Sequence, residues 1–369
     1  MNAKSGITTI IALVVGLVIG YLVWGTGDTT EVAVQDSESG GGRVETVNIK
    51  MASAFNATLP VVGPGAVYLT ELIDEISGGE LKFKFFDPGK LVPALEVFDA
   101  VSSGAVGAGF STAGFWMGKM PAASIFSSIP FGPDSMEFLS WLFQGEGLEL
   151  YQELYARRDV WVYPCGMIPP EASGWFREEI TSPDQFKGMK IRFFGIGGMA
   201  VQKLGASVQL LAPGDIYPAL ERGVIDATEL SMPVIDERLG FYKVAKHYYF
   251  PGWHQQSTAT ELLIHMDVWN KLIPRHQRII ETACKDVTLR NITIGETVQG
   301  EALEKRRAAG VQIHYWDNEF LDLFKKVTDE TLAELSAKDP DFKRYLDSLN
   351  KFRGEFKEWA RLSRLPPGY

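Results

Sequence analysis

The chain has 369 residues, a length that suits two lobes or one large α/β unit, and its 46% apolar and 22% charged residues match an ordinary globular protein. A formal net charge of -10 with no basic stripe excludes a nucleic-acid partner, which requires clustered surplus cations. Cys165 and Cys284 lack the paired spacing of zinc or iron-sulfur sites, and two buried free thiols are expected, with a disulfide as the alternative.

Residues 1–25 read as an export signal or an uncleaved anchor, because Ile7 to Trp24 is an uncharged apolar run preceded by Lys4. Either form places the body in the periplasm. Residues 26–44 are polar and glycine-rich, the composition of a flexible linker.

The folded body opens with a predicted strand, Val47 to Ser53, followed by a helix carrying Val67, Leu69, Leu72, Ile73 and Ile76 at helical spacing and stopping at Gly78-Gly79. LKFKFF is the next strand, LEVFDAVSSG a helix, and AVGAGFSTAGFW a buried strand breaking into a loop. VWVYPCG and MKIRFF read as further strands, and TELLIHM as a strand crossing back to the first lobe. From Trp269 onward the pattern is almost wholly helical, and Asn318 to Leu362 forms one long amphipathic stretch. Strand and helix in alternation imply an α/β fold with ligands beyond the carboxyl ends of the strands.

Four blocks carry a resemblance: SGGELKFKFFDPGKLVPALEVFDAVSSGAV, SGWFREEITSPDQFKGMKIRFFG, GDIYPALERGVIDATE and LGFYKVAKHYYFPGW. In this order and spacing, over residues 47–360, the chain resembles the solute receptors of tripartite ATP-independent periplasmic (TRAP) transporters, the DctP family, in its branch for α-keto acids. The resemblance implies a two-lobed fold like that of type II periplasmic binding proteins, with hinge strands and long C-terminal helices. Lobe I is expected at 45–164 plus 260–298, lobe II at 165–259 plus 299–350, and a helical tail at 351–369. It also implies capture of a small organic carboxylate without catalysis, delivery to a membrane permease, and a homodimer through the C-terminal helix.

The residues alone leave Arg192 open between an edge salt bridge and a carboxylate site, since a guanidinium meets either kind of carboxylate bidentately. The resemblance makes it the solute's anchor, with Phe194 beside it. Glu229 and the carbonyl of Leu230 stand where the branch holds a metal ion, as do Glu171, where a glutamine is typical, and Gln255, where relatives have a glutamate. Oxygen donors of this kind suit calcium or sodium rather than zinc. His254 replaces an aromatic residue, and Ser231-Met232-Pro233 also departs from the pattern. Phe55, Asn56, Phe110, Ser111 and Trp116, from the strand-end loops of the first lobe, are expected in the opposing wall or in the core. Asp226 and Tyr217 are expected to order the loop that carries Glu229.

Gly195, Gly197 and Gly198 miss the dinucleotide spacing, and no G-x-S-x-G elbow occurs. The five histidines, His247, His254, His265, His276 and His314, show no i, i+4 pair, so no histidine-based metal site is expected. Two other readings stay open: a membrane-anchored ligand sensor with the same lobes, and a glycoside hydrolase using Glu171 and Glu229 as its carboxyl pair.

Overall fold

The computed structural model describes residues 46–363, so the expected signal or anchor, the linker and residues 364–369 of the tail lie outside the described residues. The body begins with Val47–Ser53 (β1) and Val62–Ser77 (α1), whose Leu69 and Ile73 are fully buried, and α1 stops at Gly78 in the left-handed conformation, φ 66°. Then come Leu81–Phe86 (β2), Val97–Ser102 (α2), Ala108–Ser111 (β3), Ser135–Gln144 (α3), Gly147–Ala156 (α4) and Val160–Ile168 (β4). The next stretch holds Gly174–Phe176 (β5), Lys190–Arg192 (β6), Gly195–Gln202 (α5), Ser207–Gln209 (β7), Pro213–Glu221 (α6), Ala227–Thr228 (β8), Pro233–Leu239 (α7) and His247–Phe250 (β9). Thr258–His265 (β10), Met266–Lys271 (α8), Pro274–Ala308 (α9), Gln312–Tyr315 (β11), Asn318–Lys338 (α10) and Pro340–Ser363 (α11) complete the chain.

These strands form two sheets, in the orders β2-β1-β3-β10-β4 and β11-β9-β5-β8-β6-β7. In the first, β1, β2 and β3 run parallel and β10 is antiparallel to both β3 and β4. In the second, β6, β7 and β8 are parallel, which leaves their carboxyl ends side by side. The α/β architecture expected from the alternation is therefore present. β4 stays paired in the first sheet through Ile168, beyond the expected lobe boundary at 164, because β10 extends the ladder to the pair Thr258–Ile168. The chain thus leaves the first sheet after Ile168 and re-enters it at Thr258, at adjacent points.

The helical C-terminal third departs from expectation once. β11 adds an edge strand to β9; only four residues long, with two of them exposed, it carries too weak an alternation to stand out beside helices. The amphipathic stretch over Asn318 to Leu362 is helical but broken at Asp339, which is extended (φ -129°, ψ 106°) as a residue before proline tends to be. Pro340 opens α11, and Asp339 Oδ1 accepts from the backbone of Asp341 at 2.9 Å and Phe342 at 3.1 Å, which caps the new helix. α11 then returns to the first body, where Tyr345 joins Phe126, Tyr151 and Trp141 in an aromatic cluster.

α9, 35 residues long, packs on β4 and α1 and also on α7, so it spans both bodies. Cys165 of β4 and Cys284 of α9 are joined in a disulfide, which corrects the expectation of free thiols. The two lie 119 positions apart, and only the packing of α9 across β4 brings them together. Replacing both by alanine should cost about 2–5 kcal/mol, the usual range for a bond closing a long loop. A melting curve that does not move, or two thiols titrating in denatured unreduced protein, would contradict the bond.

Candidate functional site

Side chains at the carboxyl ends of parallel strands face the crevice beside the sheet, and Arg192 is the last residue of β6, paired with Thr228 of β8 and Gln209 of β7. It is 0% exposed. Its Nη1 donates to Glu229 Oε2 at 2.9 Å and to the Glu229 carbonyl at 2.5 Å, and Nε donates to the Leu211 carbonyl at 3.4 Å. Nη2 is buried with no partner. Glu229 follows β8 and is held from the other side, because its Oε2 accepts from the Phe194 amide at 3.0 Å. Asp226 stabilises the same pair of strands: its carboxylate accepts from the Lys190 amide at 2.8 Å. The Tyr217 hydroxyl donates to Glu221 on α6, and its ring packs against the same apolar cluster as Leu230.

A second carboxylate arrives from the segments that connect the two sheets. Glu171 follows β4, and its amide donates to the Gln255 carbonyl at 3.2 Å, while the Gly252 amide donates to the Glu171 carbonyl at 3.0 Å. A Cβ on residue 252 would fall 2.2 Å from that carbonyl oxygen, so this approach needs glycine. Glu171 Oε1 accepts from Ser231 Oγ at 3.2 Å. His254 Nε2 lies 3.2 Å from Glu229 Oε1 and 3.9 Å from Glu171 Oε2, which makes Glu171, Glu229 and His254 a cluster of metal-ligating type. The spacing rule covers pairs on one helix, whereas His254 reaches the carboxylates through a tertiary contact.

The amide of Gln255 occupies the centre of this cluster. Its nitrogen is the donor among these acceptors, 2.9 Å from Glu229 Oε1, 3.0 Å from Glu171 Oε2 and 3.1 Å from His254 Nε2, and its oxygen accepts from Thr258 Oγ1 at 2.6 Å. Two carboxylates and an imidazole that converge on one point form a donor set that fits a cation, and Gln255 satisfies the same atoms without one. Glu171 and Gln255, the two departures noted in the sequence, meet at this one point.

Burial, with the nearby charge of Glu229, pushes the Glu171 carboxyl well above the usual range. Glu229 suffers the same desolvation, yet the Arg192 guanidinium and the His254 hydrogen bond outweigh it and hold this carboxyl below its ordinary value. One guanidinium thus balances one carboxylate, and ionised Glu171 would leave the cluster one charge short.

Between the two bodies lies a cavity enclosing about 390 Å³, solvent at its mouth included, of which only about 30 Å³ can hold the centre of a water molecule. Arg192, Glu171, Gln255, Leu230 and Phe194 line it, together with Phe55. Glu229 lies immediately behind Arg192. Four expected residues are placed elsewhere. Phe110 is fully buried with its ring 6.3 Å from that of Phe55, and Ser111 is buried with an unpartnered hydroxyl. Trp116 stacks on Phe98 and donates to the Tyr155 hydroxyl inside the first body, and Asn56 is exposed, accepting from Thr58. The sequence reading missed Phe115, Thr112, Ser231 and Thr258, which do line the cavity. Phe115 had the same signal as Trp116, and a 3-10 turn over Ala113–Trp116 decides which ring faces the cleft. It meets Phe194 edge to face across the cleft at 5.4 Å, and Gly114 leaves room for that ring.

Asp236, on α7 near this cluster, accepts from Trp175 and from Tyr248, both at 2.9 Å, yet burial raises its carboxyl to about 7. Because the folded value exceeds the unfolded one, its contribution to stability is complete below about pH 4 and is lost as pH rises through 7. Denaturant unfolding in chelator should therefore show lower stability at pH 8 than at pH 5, by up to about 3 kcal/mol from this group. In Asp236→Asn that difference should shrink; an unchanged difference would remove Asp236 from the account.

Residues 52–339 match the model of the bacterial extracellular solute-binding protein family 7, DctP. A monocarboxylate 2-oxoacid-binding periplasmic protein of Nostoc sp. is 35% identical over 301 residues, 82% of this chain and 83% of that protein. A TRAP transporter solute binding protein from Bordetella bronchiseptica, a mixed occupancy dimer with calcium and picolinate in one site, is 33% identical with a TM-score of 0.84, covering 86% of this chain and 94% of that one. A TRAP periplasmic solute binding protein from Colwellia psychrerythraea, with bound calcium and pyruvate, is 31% identical with a TM-score of 0.83, covering 86% and 97%. With a family match over most of its folded body and a relative this similar along its length, the chain belongs to the bacterial extracellular solute-binding protein family 7.

Proposed function

We propose that this chain is the periplasmic receptor of a TRAP transporter and captures a small 2-oxo monocarboxylate together with a cation. The observation that carries the reading is Arg192 Nη2, a charged donor that is buried, unpartnered and at the cavity wall. Leaving such a group unsatisfied is costly, and a carboxylate oxygen would relieve that cost. The restricted free space supports a solute of a few heavy atoms, and Phe55, Phe115 and Phe194 supply an apolar wall for its carbon end.

Glu171, Glu229 and Gln255 would hold the cation, calcium or sodium on the oxygen donors, with the Leu230 carbonyl beside them. A bound cation would supply positive charge to the solute's second oxygen. Arg192 orients the carboxylate; Phe115 and Phe194, on opposite sides of the cleft, exclude water. The two sheet-centred bodies act as lobes, hinged where β4 leaves and β10 re-enters the first sheet, and a permease would read their closed state. A signal or anchor at Ile7–Trp24 would keep the receptor on the periplasmic side. Exposed Trp359 and Leu362 on α11 support a homodimer through that helix.

A glycoside hydrolase needs two carboxyls flanking a sugar at about 5 Å or more. Glu171 and Glu229 instead converge on a single amide, which favours capture over turnover.

Calorimetry with pyruvate tests the reading. Arg192→Lys should weaken binding about 10- to 150-fold, the value of one charge-assisted hydrogen bond. Removal of bound metal with a chelator should weaken it as well. Equal affinity in the folded variant would refute the anchoring role, and equal affinity in chelator would refute the cation.

A further inference from the structure

We propose that His254 is a nitrogen ligand of the cation, and that this site therefore prefers a transition-metal dication, such as manganese, cobalt or zinc, to calcium or sodium. The inference rests on the reading of a cation-assisted receptor and concerns which ion that receptor selects.

Three observations support it. The first is chemical: among the described residues, the cluster that could hold an ion combines two carboxylates with an imidazole, and all its ligand atoms lie within 4.8 Å of one another. Calcium and sodium take oxygen, whereas imidazole raises affinity for manganese, cobalt, nickel and zinc.

The second is reach. His254 Nε2 lies 3.2 Å from Glu229 Oε1 and 3.9 Å from Glu171 Oε2, separations that donors on bonds of about 2.1 Å to one ion span.

The third is orientation. The His254 ring is buried and packs edge to face on Phe193 at 4.9 Å, while Gly197 leaves the space beside its Cβ, where another Cβ would come within 2.8 Å. Nε2 is thereby aimed at the carboxylates. Nδ1 is buried with no partner, so the ring lacks the acceptor that usually strengthens a histidine ligand. That absence argues for a moderate, exchangeable site, as a receptor that unloads its cargo needs.

The test uses the full chain stripped with chelator and titrated calorimetrically with cobalt(II), manganese(II) and calcium alone, then with pyruvate in the presence of each. Cobalt is expected to bind at least tenfold tighter than calcium, and in His254→Phe the cobalt-to-calcium affinity ratio should fall at least tenfold. Since that variant could misfold, electron spin-echo spectroscopy of manganese-loaded wild-type protein gives a variant-free readout, in which coupling to an imidazole nitrogen is expected. Tighter calcium than cobalt, an unchanged ratio in folded His254→Phe, or no nitrogen coupling would each overturn the inference. Pyruvate bound with calcium alone would overturn it and leave the receptor reading standing. No pyruvate bound with any metal would overturn that reading, while the metal titrations would still judge His254.

Discussion

A buried guanidinium that is balanced by one carboxylate yet keeps an unpartnered donor governs this molecule. Arg192 has an acid beside it, Glu229, and the two exchange side-chain and backbone hydrogen bonds that tie β6 to β8. Breaking such a pair by removing one partner strands a charge in a low-dielectric interior, which is strongly destabilising. The pair is therefore a fixed part of the fold, and one nitrogen of it is left without a partner at the wall of the cleft. A structural ion pair would use both nitrogens; this one retains a donor for an anion from outside.

The second constraint is where the other charged groups come from. Glu171 follows the strand that leaves the first sheet, and His254 and Gln255 precede the strand that returns to it, so the cluster joins the strand ends of one body to both connecting segments. Any charge placed among these atoms alters forces on the connections themselves. Solute capture and the relative position of the bodies are thereby linked through a few polar contacts. α9 and its disulfide to β4 brace the same region from behind. The Gln255 amide donates to both carboxylates.

Much of this was legible in the chain. The period-two and helical patterns located β1, α1 and the crossing strand β10, and the four family-like blocks pointed to Arg192, Glu229, Glu171, Gln255, Leu230 and Phe194, which the fold brings to one cleft or directly behind it. Other features depended on long-range packing. Asn56, Phe110 and Trp116 lie on the right loops, but loop geometry turns Trp116 into the core and Phe115 into the cavity. His254 is invisible to a search for helically spaced histidines, because its partners are 25 and 83 positions away in the sequence. The disulfide between Cys165 and Cys284 likewise depends on α9 crossing β4. The break at Asp339 was readable from Pro340, but the continuous amphipathic pattern on either side concealed it.

The most direct measurement is a crystal structure of the protein grown with pyruvate and a divalent cation. The account predicts a carboxylate oxygen within hydrogen-bonding distance of Arg192 Nη2, with the cation among Glu171, Glu229 and Gln255. A solute bound elsewhere, with both guanidinium nitrogens closed onto protein acids, would contradict it.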